Sequence, residues 1–215
     1  MNKIKEIFNP IKEKYTSINP VTREIIETII FVLVMVIIIR YFVGEIRWIP
    51  SASMRPTLKE GDRIVVERVS RFYSTPKRGD IMVFYPPFEK LHNTPWKVFA
   101  RLTGFFCKDI AYIKRVVGMP GDKVEIKSDK DGRYTVFIND KPLSEPYVPD
   151  PYDYPPCSEA MFCGPFTIPQ GQYFMLGDNR GNSQDGRYWG LLKEDRFIGK
   201  AVVVFWPLNR VKKLR

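Results

Sequence analysis

The sequence predicts a mainly β fold built from antiparallel sheets. Segments rich in β-branched and aromatic residues recur along the chain at residues 62–69, 81–85, 112–117 and 201–206. Gly, Pro and Asp residues separate these segments, as is typical of folds with many short strands and turns. Residues 123–127 and 134–138 alternate in polarity around Asp131 and Gly132, which predicts a hairpin.

Composition limits the classes of function. The chain has 215 residues, of which 44% are hydrophobic and 27% charged, values that are normal for a folded protein. Its net charge of +10 suits nucleic acid or an anionic membrane surface. The three cysteines and the single histidine, His92, show no metal-ligand spacing, so we predict neither a metal nor a cofactor. A Ser-His-Asp triad would have to use His92, which lies in a Pro-containing stretch, and is disfavoured.

One long apolar run, at residues 25–43, follows a polar and basic leader at residues 1–24. A helix needs about 20 apolar residues to cross a bilayer. The run therefore predicts a single transmembrane helix, with Glu27 and Arg40 near its two ends. The alternative is a buried helix of a globular core. The basic leader favours a cytoplasmic N-terminus, which places residues 44–215 outside the cytoplasm as the β domain.

Two segments stand apart within that domain. Residues 88–109 have helical periodicity, and a helix would gather five apolar side chains on one face: Trp96, Phe99, Leu102, Phe105 and Phe106. This amphipathic insert packs either on the β core or on the membrane interface. Residues 123–170 combine the predicted hairpin with a Pro-rich stretch, and form a second subdomain.

The stretch just after the apolar run is polar and rich in small residues. Residues 49–58 hold Ser51 and Ser53 on either side of Ala52, with a proline on each side. Small residues let another backbone approach closely, and a serine hydroxyl can attack a peptide held there. The alternative is an ordinary Ser/Pro loop.

Lys114 is the candidate general base. A lysine serves in that role only when it is neutral, and its ordinary pKa is near 10.4. Tyr112, Ile113 and Val116 give it apolar neighbours, and burial lowers the pKa of a lysine by up to about 3–5 units. A neutral Lys114 could take the proton of Ser53. The alternative is a lysine on the surface of a strand.

Three motifs follow the apolar run in order: PSASMRPTL at residues 50–58, YIKRVVGMPGD at residues 112–122 and GDNRGNSQDGR at residues 177–187. By itself the third motif could orient a buried lysine or form a solvent-exposed turn. Together, and with the Gly-Asp pairs at residues 61–62 and 79–80, the motifs resemble type I signal peptidases. The resemblance covers the chain from residue 25 onwards.

This resemblance implies a serine endopeptidase with a Ser/Lys dyad that removes signal peptides from exported preproteins. By motif position, Ser53 resembles the nucleophile and Lys114 the general base. The Ser51 hydroxyl and the Ser53 amide resemble the oxyanion hole, and Ser183 resembles the hydroxyl that orients Lys114. Two pairs resemble supporting ion pairs, Asp178 with Arg115 and Asp185 with Arg187.

Further positions match the family. Those that pack around the lysine are Phe84, Tyr112 and Met175. Those that bind substrate are Ile49, Pro50, Met54, Leu58, Ile64, Val83 and Ile113. The family binds its substrate as an added strand beside the Ser and Lys segments. Some members have a cysteine pair, and an extracytoplasmic loop is oxidising, so we expect a disulfide between Cys157 and Cys163.

The resemblance also implies a signal-peptidase-like catalytic β domain on the periplasmic side of the cytoplasmic membrane, anchored by one span. The expected partners are preproteins and the lipid bilayer, without nucleic acid, and the expected state is a monomer. Ala52 stands where the family often has Gly, and Gly181 and Gly186 stand where it often has polar residues. Two alternatives are a self-cleaving Ser/Lys repressor and a non-enzymatic, membrane-anchored binding module. The apolar run speaks against the repressor, as does the lack of a helix-turn-helix pattern.

Overall fold

Antiparallel strands carry the fold in the computed structural model, which describes residues 18–70, 73–90, 94–103, 110–128, 133–149, 154, 157 and 161–214. The strands are β1 (Gly44–Trp48), β2 (Arg63–Glu67), β3 (Ile81–Phe84), β4 (Tyr112–Gly118), β5 (Lys123–Ser128), β6 (Tyr134–Ile138), β7 (Lys141–Pro142), β8 (Phe166–Thr167), β9 (Gln172–Leu176), β10 (Leu192–Lys193), β11 (Phe197–Trp206) and β12 (Lys212–Lys213). The predicted mainly β fold is confirmed.

The described strands form two sheets. The larger sheet has the order β1-β2-β11-β3-β4-β9-β10, and β12 pairs with β11. The smaller sheet has the order β7-β6-β5-β8. Its β5–β6 pair is the predicted hairpin, with Val124 opposite Ile138 and Ser128 opposite Tyr134. Every pairing is antiparallel.

The centre of the larger sheet is β4, which pairs with β3 on one side and β9 on the other. Its residues from Ile113 to Gly118 are all buried, because apolar clusters cover both faces. Ile113 belongs to the cluster under β1, β2 and β11, whereas Val116 belongs to a second cluster with Phe84 and Met175. Because side chains alternate along a strand, Lys114 shares the face of Val116 and is directed into the second cluster.

The chain enters this domain through helix α1 (Pro20–Ile38), followed by a π-helical segment (Ile39–Val43). Asn19 starts the helix by accepting a bond from the Val21 amide, and Pro20 takes the first position, where a missing N–H costs nothing. None of its side chains is buried.

The sequence predicted a transmembrane helix at residues 25–43. In the part of the chain that the structure describes, no helix is both long and apolar enough to cross a bilayer. The α-helical geometry ends at Ile38, and the first turns of α1 carry Arg23, Glu24 and Glu27.

Helix α2 (Pro95–Thr103) lies within the predicted insert at residues 88–109. It contacts the π-helical segment and α1. Trp96 and Phe99 are exposed, and their rings stack with centroids 5.7 Å apart. Ala100 is buried. The side chain of Leu102, and Phe105 and Phe106 altogether, lie outside the described residues.

Candidate active site

Ser53 lies in a single 3-10 turn (Ala52–Met54) between β1 and β2. Two backbone bonds close this turn, from the Arg55 amide to Ala52 (3.0 Å) and from the Leu58 amide to Met54 (2.8 Å). Met54 and Leu58 are fully buried and anchor the turn in the core. The Ser53 side chain is thereby held at the edge of the core, with 8% of the residue exposed.

Lys114 reaches Ser53 from the centre of β4. Its Nζ donates to the Ser53 Oγ at 2.7 Å and to the Ile113 carbonyl oxygen at 3.1 Å. Only 4% of Lys114 is exposed. Phe84 and Met175 are fully buried in the cluster on this face of β4, and the Lys114 Nζ is 5.6 Å from the centre of the Tyr112 ring.

Burial controls the acid–base chemistry of this lysine. Loss of water around the ammonium group lowers the pKa of Lys114 to about 8, although Asp185 and Asp178 act in the opposite direction. Near neutral pH a useful fraction of Lys114 is therefore neutral. A neutral amine at hydrogen-bond distance from a hydroxyl can accept its proton.

Asp178 holds the guanidinium of Arg115, the residue that follows the lysine. The pair is bidentate, with bonds of 2.8 Å from Nε and 2.7 Å from an NH2 group, and both side chains are buried. Thr57 donates to the same carboxylate at 2.5 Å, and Arg115 also donates to the Gly79 carbonyl oxygen at 2.7 Å. These bonds connect β4 to the loops that contain Gly79 and Asp178. They also connect it to Thr57, in the segment that follows the Ser53 turn.

Asp185 holds Arg187 in the same bidentate way, with bonds of 2.9 and 3.0 Å between fully buried side chains. Asp185 also accepts from the Gly177 amide at 3.0 Å and from the Arg187 amide at 3.2 Å. The carboxylate therefore accepts several charge-assisted and backbone bonds, which offset the cost of its burial. It fixes the two ends of the loop at residues 177–187 against each other.

Ser183 is predicted to orient Lys114 through a hydrogen bond from its hydroxyl, and this bond is not found. Its Oγ is buried and has no hydrogen-bond partner among the described residues. Lys114 donates instead to Ser53 and to its own neighbour, the Ile113 carbonyl oxygen. The hydroxyl lies against Gly177, so close that a Cβ at that position would collide with it.

Three contacts of the site were not predicted. The Asn179 amide donates to the Ser53 carbonyl oxygen and its side chain to the Ala52 carbonyl oxygen, each at 3.1 Å, so this residue ties the 177–187 loop to the nucleophile turn. The Arg115 guanidinium lies 3.9 Å from the centre of the Tyr147 ring. Asn179 lies inside a quoted motif and could have been singled out, whereas nothing in the sequence marks Tyr147.

The third contact is between Glu145 and Tyr147, and it holds the tyrosine in place. Glu145 accepts from the Tyr147 hydroxyl at 3.0 Å and pairs with Arg180 through bonds of 3.0 and 2.5 Å. Burial and the nearby Glu145 carboxylate raise the pKa of Tyr147 far above its ordinary value. Residues at the start of the Pro-rich stretch therefore cover the ion pair next to the lysine.

The predicted substrate-binding side chains are mostly not open to solvent. Six of the seven are buried in the cluster under β1, β2 and β11: Ile49, Met54, Leu58, Ile64, Val83 and Ile113. They pack in the core of the free enzyme, and their part in substrate binding stays a prediction. Pro50 is exposed, and Ser51 is exposed with its Oγ 3.3 Å from the Ser53 Oγ.

One cavity beside the larger sheet lies away from these residues. This cavity of about 610 Å³ is lined by the loop after β2 and by β11, including Glu67, Asp80 and Lys200. No predicted site residue lines it. In the smaller sheet's region, the structure joins Cys157 and Cys163 by the expected disulfide.

Comparisons with known proteins identify the family of this chain. The family described as "Signal peptidase, peptidase S26" matches residues 22–206. Signal peptidase I of Leptolyngbya laminosa is 40% identical over 189 residues, which cover 88% of this chain and 82% of that protein. Signal peptidase I T of Bacillus subtilis (strain 168) is 32% identical over 193 residues, which cover 88% of each protein.

A crystal structure of a signal peptidase I from Enterococcus faecalis V583 aligns with 59% of this chain and 97% of its own at 29% identity. Its TM-score of 0.41 is too low to carry an argument about the fold. The family match excludes both alternatives considered from the sequence, the self-cleaving repressor and the non-enzymatic binding module. The chain belongs to the signal peptidase family, peptidase S26, as a type I signal peptidase.

Proposed function

We propose that this enzyme removes signal peptides from preproteins with Ser53 as nucleophile and Lys114 as general base. One observation carries the proposal, the 2.7 Å bond between the Lys114 Nζ and the Ser53 Oγ in a buried setting. Neutral Lys114 takes the hydroxyl proton while the Ser53 Oγ attacks the scissile carbonyl carbon. The resulting ammonium gives this proton to the leaving amine, and an acyl-enzyme remains. Lys114 then deprotonates the water that hydrolyses the ester.

The oxyanion of the tetrahedral intermediate needs donors on the exposed side of Ser53. The Ser51 hydroxyl is exposed and 3.3 Å from the nucleophile, and the Ser53 amide belongs to the same turn. A substrate carbonyl beside the Ser53 Oγ therefore has both groups within reach. Donors of this kind act most strongly where water is excluded.

The pH dependence tests the role of Lys114. Because burial lowers the pKa of Lys114 to about 8, and only the neutral amine accepts a proton, we expect kcat/KM to reach half its maximum near pH 8. Below that pH the neutral fraction, and with it the rate, falls about tenfold per pH unit. The measurement uses a soluble peptide without ionisable side chains. A rate that stays constant between about pH 6 and 9 would contradict the proposed base.

The substrate site predicts small side chains before the cleaved bond. A peptide docked as a strand against Ser51 and Ala52 finds a surface whose apolar residues are already buried in the core, so little depth remains. We expect a precursor with Ala at positions −1 and −3 to be cleaved at that bond. A matched precursor with Phe at −1 should be cleaved at least about tenfold more slowly. N-terminal sequencing of the product identifies the bond, and equal rates for the two precursors would refute this specificity.

The second part of the proposal concerns the location of the enzyme in the cell. The apolar side chains of α1 are exposed, including Ile30 and Phe31, and Trp96 and Phe99 of the adjacent α2 are exposed as well. Aromatic and aliphatic residues so arranged suit a lipid surface, where signal peptides emerge. We place the β domain on the extracytoplasmic side, since the disulfide between Cys157 and Cys163 suits an oxidising compartment. The expected state remains a monomer, without nucleic acid as a partner.

A further inference from the structure

Three arginines surround one carboxylate where the N-terminal helices meet the β domain. Glu45 of β1 accepts from the Arg47 Nε at 2.6 Å, from Arg68 at 3.0 Å and from Arg40 at 3.4 Å. Arg40 belongs to the π-helical segment, Arg47 to β1, and Arg68 follows β2. Residues from three elements therefore meet at a single buried acid.

This arginine cluster (Arg40, Arg47 and Arg68) has a surplus of positive charge. The side chains of Glu45 and Arg68 are 1% and 7% exposed, and can be regarded as a neutral buried pair. Arg40 and Arg47 remain, with side chains 32% and 30% exposed. In the described part of the chain, Glu45 is the one carboxylate that pairs with either of them.

The cluster also has a surplus of donors. A guanidinium has five N–H groups, and the Glu45 carboxylate cannot satisfy those of Arg40 and Arg47 together. The Arg40 Nε is buried and has no hydrogen-bond partner among the described residues. Planar guanidinium groups with free donors are suited to bidentate binding of phosphate oxygens.

Exposed apolar residues lie on both sides of the cluster. Ile39 and Val43 flank it in the π-helical segment, and Ile46 and Trp48 lie on the opposite face of β1, each 62% exposed. Cationic groups between exposed apolar side chains are what a lipid–water boundary requires, since the apolar groups meet acyl chains while the cations meet headgroups. A soluble anion would gain nothing from these neighbours.

We propose that Arg40 and Arg47, with Arg68 and Glu45 holding them in place, bind the phosphate group of an anionic lipid. This inference rests on the lipid-surface part of the proposed function and adds a headgroup site to it. The competing account is an ion-pair network that only stabilises the fold. That account predicts that loss of the arginines lowers Tm and leaves lipid binding unchanged.

The test measures binding of the full chain to vesicles containing phosphatidylglycerol, with pure phosphatidylcholine vesicles as reference. Arg40→Gln with Arg47→Gln should weaken binding to the anionic vesicles about 25-fold, since each arginine near an anionic surface contributes a factor of about five. Tm should be nearly unchanged, because the buried pair of Glu45 and Arg68 remains. Unchanged binding would overturn the proposal.

Two control variants separate a built site from diffuse charge. Arg40→Lys with Arg47→Lys keeps both charges but loses the planar guanidinium groups that bind phosphate in a bidentate way. Its vesicle binding should therefore lie between that of the glutamine variant and that of the wild type. Lys123→Gln with Lys127→Gln removes two charges from exposed ion pairs of the smaller sheet and should have no effect. Wild-type binding by the lysine variant would show that charge alone suffices, and would refute the site.

Inorganic phosphate distinguishes the two sources of the ligand. Phosphate binding is measured in detergent solution. The site would be assigned to a soluble phosphate if the wild type binds phosphate saturably at millimolar concentration, the glutamine variant does not, and the two proteins bind vesicles equally. We expect the vesicle effect, with only weak competition by phosphate. Cleavage of a soluble peptide by the glutamine variant should match that of the wild type. Failure of the headgroup site is thus distinguishable from failure of the peptidase mechanism.

Discussion

Replacing Lys114 by Met is expected to abolish cleavage of a signal-bearing precursor while the fold stays intact. Methionine fills similar space without a basic nitrogen, so Ser53 loses the group that now lies 2.7 Å from its Oγ. Its apolar surroundings accept a thioether without cost. We expect kcat to fall by a factor on the order of 10⁴ or more. Ser53→Ala should do the same. Near-normal turnover of Lys114→Met would refute the Ser/Lys mechanism.

Three further variants make this result specific. Lys114→Arg should fail as well, because an arginine stays protonated at any working pH. The double variant of Ser53 and Lys114 should be no worse than either single variant, since residues that act as one unit are not additive. Lys193→Met removes an exposed lysine from β10 and should leave kcat unchanged. Melting curves of all variants verify that the fold persists.

The parts of the site that could be predicted share a local origin. Strands β3 and β4 are short runs of β-branched and apolar residues bounded by Gly and Pro, so local pattern and final structure agree. Lys114 and Arg115 interrupt such a run, and two adjacent charges inside a buried strand are a departure from pattern that indicates function. Ser53 could be placed because the small residues around it leave room for a peptide.

Other parts depend on contacts that local sequence does not encode. Strand β1 reads GEIRW, with charges at two of five positions, and forms because it pairs with β2 and because Glu45 finds arginines from three elements. Tyr147 covers Arg115 only through the arrangement of distant segments. The apolar run at residues 25–43 predicted a membrane span from hydropathy, but helix α1 begins at Pro20 and includes three charged residues before Thr28.

The predicted substrate-binding positions combine a family assignment with burial in the core. A family motif assigns Ile64 and Val83 to substrate pockets by their place in the sequence, but both side chains pack under the sheet. Residues at the base of a shallow site belong to the core and support the site floor at the same time. Such positions are expected to affect Tm as strongly as KM when they are shortened.

Gly177→Ala is expected to lower kcat about a hundredfold, although this glycine touches no substrate. A Cβ at this position would lie 2.5 Å from the Ser53 carbonyl oxygen and would collide with the Ser183 Oγ. The loop cannot yield easily, because the Gly177 amide donates to Asp185 and Asn179 binds the Ser53 turn. The nucleophile turn must therefore shift, and a displacement near 1 Å costs about 10² in rate. KM should change little, since the proposed substrate surface at Ser51 lies on the exposed side of Ser53.

Two comparisons identify the cause of that loss. Gly44→Ala places a Cβ 2.5 Å from the Val66 carbonyl oxygen at the far end of β1, so it should lower Tm without lowering kcat comparably. Adding Ser183→Gly to Gly177→Ala removes one of the two clashing groups and leaves the other, the Ser53 carbonyl oxygen. Recovery of kcat in this double variant would assign the loss to Ser183, whereas a persistent loss would assign it to the displaced Ser53 turn. Wild-type kcat for Gly177→Ala itself would show that the turn tolerates the shift, contrary to the rigid packing described for this loop.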